Sequence, residues 1–322
     1  MSELRDSYNR KIDYLRIAVT DRCNLRCSYC MPEEGVEPKP HEDILTYEEI
    51  ERFAKAAVKA GISKIRLTGG EPLVRKDIIK LVDMLTHIPG LNDVSLTTNG
   101  ILLPKYGKAL QEAGLKRINI SIDSLNPEVY RTLTRCGSVE RALEGMKTAL
   151  EFGLTPVKVN AVLIRGINDD PKDFIKLIYD YPVHVRFIEF MPVGDWDSDR
   201  YISIDELKAK IAKYGPVAPV SGPKGAGPAT YVTFEGALGT LGFISAMSNH
   251  FCSSCNRLRI TPDGKLRVCL FSDTEFDIRA KMCEVESGDE LVAFIQEVTR
   301  NKPERHNAGT DKLARLMSQI GG

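Results

Sequence analysis

Two groups of three cysteines stand near opposite ends of this 322-residue chain. Cys23, Cys27 and Cys30 form a C-x3-C-x2-C pattern directly after an apolar run, and Cys252, Cys255 and Cys269 form a C-x2-C-x13-C pattern. Structural zinc and closed iron–sulfur clusters take four protein ligands. Three thiolates on a four-iron cubane leave one iron open to a small molecule. The competing reading is zinc, completed by His41 in the first group and by His250 in the second. Zinc sites usually join two close ligand pairs. The first group has one such pair, Cys27 and Cys30, and the second has no further cysteine beside Cys269. Both groups therefore read as [4Fe-4S] sites with an open iron. Cys136 and Cys283 stand alone and read as buried or idle thiols.

Other residues gain meaning beside these cysteines. Gly69-Gly70-Glu71-Pro72 ends a predicted strand, where a glycine pair lets backbone approach a ligand closely and offers carbonyls to an ammonium group. Tyr29, inside the first motif, is placed to stack on an adenine ring; ordinary packing is the plainer alternative. Arg16, Arg66 and Lys158 lie on predicted strands whose alternation turns one face inward. An inward cation without a partner is costly, so these residues point to an anionic ligand such as a triphosphate, or else to neighbouring carboxylates. Arg257-Leu258-Arg259 starts two residues after Cys255 and sets two arginines on one strand face.

The elements that carry these residues alternate regularly. Strands are predicted over Tyr14 to Val19, Lys64 to Thr68, Asp93 to Thr97, Arg117 to Ile122, Pro156 to Leu163 and His184 to Phe190, with helical periodicity between them. Thr46-x-x-Glu49 and Ser203-x-x-Glu206 are capping boxes, and Asp77 is a candidate cap for the helix that follows it. Six βα units imply a parallel sheet, either doubly wound or an open barrel. Polar motifs follow successive strands at their C-terminal ends, which favours the barrel. From Gly215 to Pro228 glycine and proline crowd the chain, which places a boundary there. Residues 1–214 are expected to form the partial barrel and 215–322 a second region. Short strands are predicted there over Tyr231 to Phe234, Thr240 to Ser245, Arg257 to Ile260 and Lys265 to Leu270, with a helix from Asp289 to Arg300.

Lys and Arg total 44 against 44 Asp and Glu, so global charge gives no argument for nucleic acid or a membrane surface. No apolar run of membrane-spanning length and no signal sequence is visible. A cytoplasmic location is expected, where clustered cysteines serve metals more often than disulfides.

The first cysteine motif resembles that of the radical S-adenosylmethionine superfamily. With the second group and Arg257-Leu258-Arg259 added, the chain resembles the GTP 3′,8-cyclases of molybdenum cofactor biosynthesis. The motifs are Val19 to Pro32, Ile65 to Pro72, Leu96 to Gly100, Phe187 to Met191, Phe251 to Arg259, Cys269 and Gly321-Gly322. The resemblance implies an α/β fold, an incomplete (β/α)6 barrel whose open side is closed by a smaller C-terminal α+β region. It implies two [4Fe-4S] clusters, on Cys23, Cys27 and Cys30 and on Cys252, Cys255 and Cys269. S-adenosylmethionine would contact Tyr29, Gly70, Ser121 and Met191. GTP would contact Arg16, Arg66, Thr97, Lys158, Arg257, Leu258 and Arg259, and the catalytic residues would be Cys23, Cys27, Cys30, Arg257 and Arg259. The implied reaction is a lyase-type cyclisation: a 5′-deoxyadenosyl radical takes hydrogen from ribose C3′, and C3′ attacks guanine C8. Implied partners are an electron donor and a downstream pyranopterin-forming enzyme. A homodimer is compatible with the sequence. A radical peptide-modifying enzyme with an auxiliary cluster is the alternative within radical enzymes, and a zinc-binding interaction module the alternative outside them.

Overall fold

The structure, a computed structural model, describes residues 3–193, 197–225, 227–307 and 313–321. Gly322 of the expected Gly-Gly tail lies outside the described residues. The predicted alternation is present. Strands β1 (Tyr14–Ala18), β2 (Lys64–Thr68), β3 (Asp93–Thr98), β4 (Arg117–Ser121), β5 (Val157–Leu163) and β6 (His184–Glu189) are separated by helices. These are α1 (Tyr47–Ala60), α2 (Ile78–Thr86), α3 (Leu103–Glu112), α4 (Pro127–Thr134), α5 (Val139–Glu151) and α6 (Lys172–Asp180). Then come α7 (Ile204–Ile211), β7 (Val217–Val220), β8 (Thr230–Phe234), β9 (Thr240–Ile244), β10 (Arg257–Ile260), β11 (Lys265–Arg267) and β12 (Phe276–Asp277). The chain ends with α8 (Ile278–Glu284), α9 (Gly288–Arg300) and α10 (Met317–Ile320).

All these strands join one sheet, in the order β12-β11-β10-β1-β2-β3-β4-β5-β6-β9-β8-β7. β1 to β6 are consecutive and parallel, as βαβ connections require. The result is an α/β partial barrel. Two strands from beyond residue 215 lengthen it in parallel: β10 against β1 and β9 against β6. The remaining C-terminal strands add antiparallel edges. The sheet stays open, and both of its edges come from the C-terminal part of the chain.

Local chemistry explains most boundaries. Thr46 and Ser203 close full capping boxes with Glu49 and Glu206. Asp77 occupies the N-cap of α2 but sits at φ 58 and makes no side-chain capping bond, so the expected cap fails. The predicted strand to Leu270 stops at Arg267, and β7 and α8 were not anticipated. Apolar residues such as Leu15, Ile17, Ile65, Leu67, Val157 and Val159 are fully buried against the helices. The alternate residues of the same strands face the other way, into the site.

Candidate functional site

A cavity of about 530 Å³ is lined by residues of β1 to β6 and the loops after them. Cys23, Cys27 and Cys30 line it together with Tyr29, Gly70, Ser121 and Met191. Arg16, Arg66, Thr97, Arg257 and Arg259 line it too. Five predicted residues behave differently. Leu258 turns its side chain into the apolar core, because strand alternation sends Arg257 and Arg259 inward and their neighbour out. Lys158 is buried outside the cavity lining, and its ammonium donates to the Lys224 carbonyl at 2.8 Å. Cys252, Cys255 and Cys269 are not among the residues that line the cavity, although their chain neighbours Ser254, Asn256, Arg257 and Leu270 are.

The first cysteine loop is clamped from two sides. Gly70 N–H donates to the Thr20 carbonyl and Glu71 N–H to the Arg22 carbonyl, each at 2.8 Å. A Cβ at Gly70 would run into the Arg22 carbonyl, so the neighbouring backbone already requires this glycine. Glu71 is buried and accepts from Leu73 N–H, Thr98 Oγ1 and Asn99 N–H. On the other side, the Arg26 and Ser28 N–H groups donate to the Thr134 and Leu133 carbonyls at the end of α4. Arg135 Nη1 donates to the Arg26 and Met31 carbonyls. Tyr29 is fixed by its hydroxyl, which donates to Asp123 Oδ2 at 2.7 Å, while Asp123 Oδ1 accepts from Val162 N–H.

All eight cysteines are free thiols. Burial pushes the Cys23 thiol up to about 11 and Cys30 to about 12, and raises Cys27 strongly, with Asp123 adding to the effect. Such thiols ionise when a metal takes them, which fits a ligand set for a cluster. Cys255 is the opposite case. Burial raises it, but Arg257 and Lys302 outweigh that and bring it to about 6. Of the histidines in the zinc alternatives, His250 has other attachments: its Nδ1 contacts the Ala246 carbonyl and its ring stands edge-on to His306.

Strand register assembles the cations. Arg259, Arg16 and Arg66 lie side by side across β10, β1 and β2, and Arg257, Tyr14 and Lys64 form the next row. Neighbouring strands are about 4.8 Å apart, so these side chains share one surface. Across the cavity, Ser121, Asn160 and Arg186 form a third row on β4, β5 and β6. Arg186 was not anticipated; its guanidinium donates twice to Asn160 Oδ1, at 2.9 and 2.6 Å. Arg66 donates to the Tyr14 hydroxyl, Arg259 to the Gly321 carbonyl at 2.6 Å, and Arg257 stands over the Phe251 ring at 4.8 Å. Among the described residues, Arg66, Arg186, Arg257 and Arg259 form no salt bridge with a carboxylate. Burial and mutual repulsion hold Arg186 and Arg259 down at about 10. A buried surface of guanidiniums bonded to neutral oxygens is a receptor for a multiply charged anion.

Among the described residues no helix is long and apolar enough to cross a membrane. The model of the Radical SAM superfamily matches residues 17–178, and that of Molybdenum Cofactor Synthesis C matches residues 183–308. The first match makes an iron–sulfur cluster and S-adenosylmethionine the chain's cofactors. The crystal structure of Streptococcus suis SuiB shares the fold, with a TM-score of 0.62 at 16% identity, covering 90% of this chain and 69% of that one. The GTP 3′,8-cyclase of Pelotomaculum thermopropionicum is 50% identical over 325 residues, 99% of this chain and 100% of that protein. That of Alkaliphilus metalliredigens is 48% identical over 326 residues, with the same coverage. With identity of this extent over the whole length, the chain belongs to the GTP 3′,8-cyclase family within the radical SAM superfamily.

Proposed function

We propose that this chain converts GTP to (8S)-3′,8-cyclo-7,8-dihydroguanosine 5′-triphosphate, an early step of molybdenum cofactor biosynthesis. The observation that supports it most is the cavity whose guanidiniums, the buried Arg66, Arg186 and Arg259 and the half-buried Arg257, lack carboxylate partners among the described residues. A nucleoside triphosphate supplies the missing negative charge. Bound at Cys23, Cys27 and Cys30, the cluster supplies the electron that cleaves a carbon–sulfur bond of S-adenosylmethionine. Tyr29, held by Asp123, and Gly70, Ser121 and Met191 would orient that cofactor. Arg16, Arg66, Thr97, Lys158, Arg257 and Arg259 would hold GTP, with Arg186 added from the geometry. Cys252, Cys255 and Cys269 would hold a second [4Fe-4S] cluster. In this reading residues 1–214 generate the radical and residues 215–322 present the substrate. An electron donor and a downstream pyranopterin-forming enzyme would complete the sequence.

Anaerobically reconstituted protein, given GTP, S-adenosylmethionine and a reductant, should form 5′-deoxyadenosine and cyclised nucleotide together. Iron and sulfide analysis should give about eight of each per chain for two cubanes. Zinc without iron, or 5′-deoxyadenosine formation that GTP never couples to a nucleotide product, would refute the reading.

Lys158 adds a pH dependence. Burial, with Arg186, Arg117 and Arg66 nearby, lowers its ammonium to about 7. A triphosphate favours the charged form, so binding takes up a proton when the free protein has lost one. GTP affinity should therefore fall as pH rises above 7, on the order of tenfold by pH 8.5. Lys158→Arg, charged throughout, should flatten the profile measured by titration calorimetry. Parallel profiles for the two proteins would remove Lys158 from phosphate binding.

A further inference from the structure

Behind the second cysteine group lies a buried cation that the resemblance does not assign. Lys302, two residues past α9, is 3% exposed. Its ammonium donates to the Arg257 carbonyl at 3.0 Å and to the Val268 carbonyl at 2.6 Å. Arg257 follows Cys255 by two residues and Val268 precedes Cys269, so one ammonium joins the two arms of the group. The third arm is tied to the same stretch by Arg10. Its Nη1 donates to the Cys252 carbonyl at 2.8 Å and to the Glu304 carbonyl at 2.9 Å, and its Nη2 to the Pro303 carbonyl at 2.6 Å.

The two cations differ in one respect. Arg10 brings its own acid, since its Nε pairs with Asp6 Oδ2 at 2.5 Å. Lys302 forms no salt bridge with a carboxylate among the described residues. Carbonyl oxygens solvate a buried ammonium but do not neutralise it. The cysteines of the two arms it joins are Cys255 and Cys269. A neutral side chain would join the two arms as well, without the cost of burying a charge. Geometry and charge together therefore need the cysteine sulfurs as the counter-ion.

We propose that Lys302 is a positioning residue for the Cys252, Cys255 and Cys269 site, the resident positive charge that retains the cluster there and raises its reduction potential. The proposal rests on the reading that these three cysteines hold a second cluster. A nearby fixed cation favours the more negatively charged, reduced form of an iron–sulfur cluster. Without it the reduced state is harder to reach and the thiolates hold the metal less well.

The test compares the full chain with Lys302→Gln, which keeps an amide donor but no charge, and Lys302→Arg, which keeps the charge. All three are reconstituted anaerobically, assayed for iron and sulfide, and titrated electrochemically by electron paramagnetic resonance. Lys302→Gln should either lose about half the iron, with the first cluster's signal intact, or keep both clusters with the second midpoint moved to lower potential. Lys302→Arg should retain the iron and lie closer to the parent midpoint. Full iron with an unmoved second midpoint in Lys302→Gln would overturn the proposal. So would a Lys302→Arg chain as depleted as Lys302→Gln, which would make the role packing alone. A parent chain that binds only about four irons would instead remove the second cluster itself.

Discussion

Cys27→Ala should abolish reductive cleavage of S-adenosylmethionine, whereas Cys255→Ala should keep cleavage and lose the cyclised nucleotide. The two cysteine groups sit in different electrostatic surroundings, and this is why the losses should separate. Cys27 is raised well above an ordinary thiol, by burial first and then by Asp123, so no protein cation sustains its thiolate. In the proposed reading the metal would hold it as a thiolate, and a cluster with only three protein ligands would not survive losing one. The loop around it is also tightly specified, by the Ser28 N–H bond to Leu133 and the Arg135 bonds to Arg26 and Met31. Cys255 is not part of the cavity lining and lies near Arg257 and Lys302. Its loss leaves the first loop untouched, so 5′-deoxyadenosine should still form within about tenfold of the parent rate. Product should fall by on the order of a hundredfold to a thousandfold, the scale of losing a preorganised group from a site. Chromatographic quantitation of both products from one reaction reads the division directly. Equal and complete loss of cleavage in both variants would show that the two groups act as one.

Much of this arrangement is legible in the residues, and the part that is not has a physical cause. Cysteine spacing, capping boxes and six alternating strands are local signals, and each is written within a few residues. Register is not local. Arg259 can join Arg16 and Arg66 only because β10 pairs in parallel with β1, a contact between opposite ends of the chain. Alternation alone puts Arg257 and Arg259 on one face but cannot name their neighbours. Arg186 was visible as a strand residue, yet its inward direction matters only once Asn160 stands beside it. Leu258 shows the converse: it belongs to the motif by sequence and to the core by geometry. β7 was hidden because Pro219 within a glycine- and proline-rich stretch reads as loop; at the edge of a sheet a residue without N–H is tolerated. Asp77 has the right residue type at the right position, and its left-handed backbone takes the carboxylate out of play. Lys302 carries no pattern at all, since its meaning comes from two carbonyls, one in β10 and one just after β11.

Arg259→Ala should weaken GTP binding on the order of a hundredfold and leave S-adenosylmethionine binding within about twofold. Arg259 is 6% exposed, stands next to Arg16, and donates Nη1 to the Gly321 carbonyl at 2.6 Å. Removing it deletes a desolvated cation from the anion-binding row and leaves that carbonyl without its donor. Truncating one partner of a buried, hydrogen-bonded charge typically costs about 2–5 kcal/mol, and each 1.4 kcal/mol is about tenfold in affinity. The tail is the second part of the effect. Met317 lines the cavity, Ile320 is buried, and Ser318 lies against Cys30, so residues 317–321 touch the surroundings of the first cysteine group as well as Arg259. Gly321→Ala separates the two contributions. Gly321 has φ 83, and a Cβ there would strike Thr68 Oγ1, so this variant displaces the tail while Arg259 remains. If charge dominates, Gly321→Ala binds GTP more tightly than Arg259→Ala; if the tail dominates, the two variants match. Titration calorimetry with GTP and with S-adenosylmethionine distinguishes these cases. A GTP affinity within twofold of the parent in Arg259→Ala would exclude the arginine row of β10, β1 and β2 as the phosphate receptor and shift that role to Arg186 on the opposite wall.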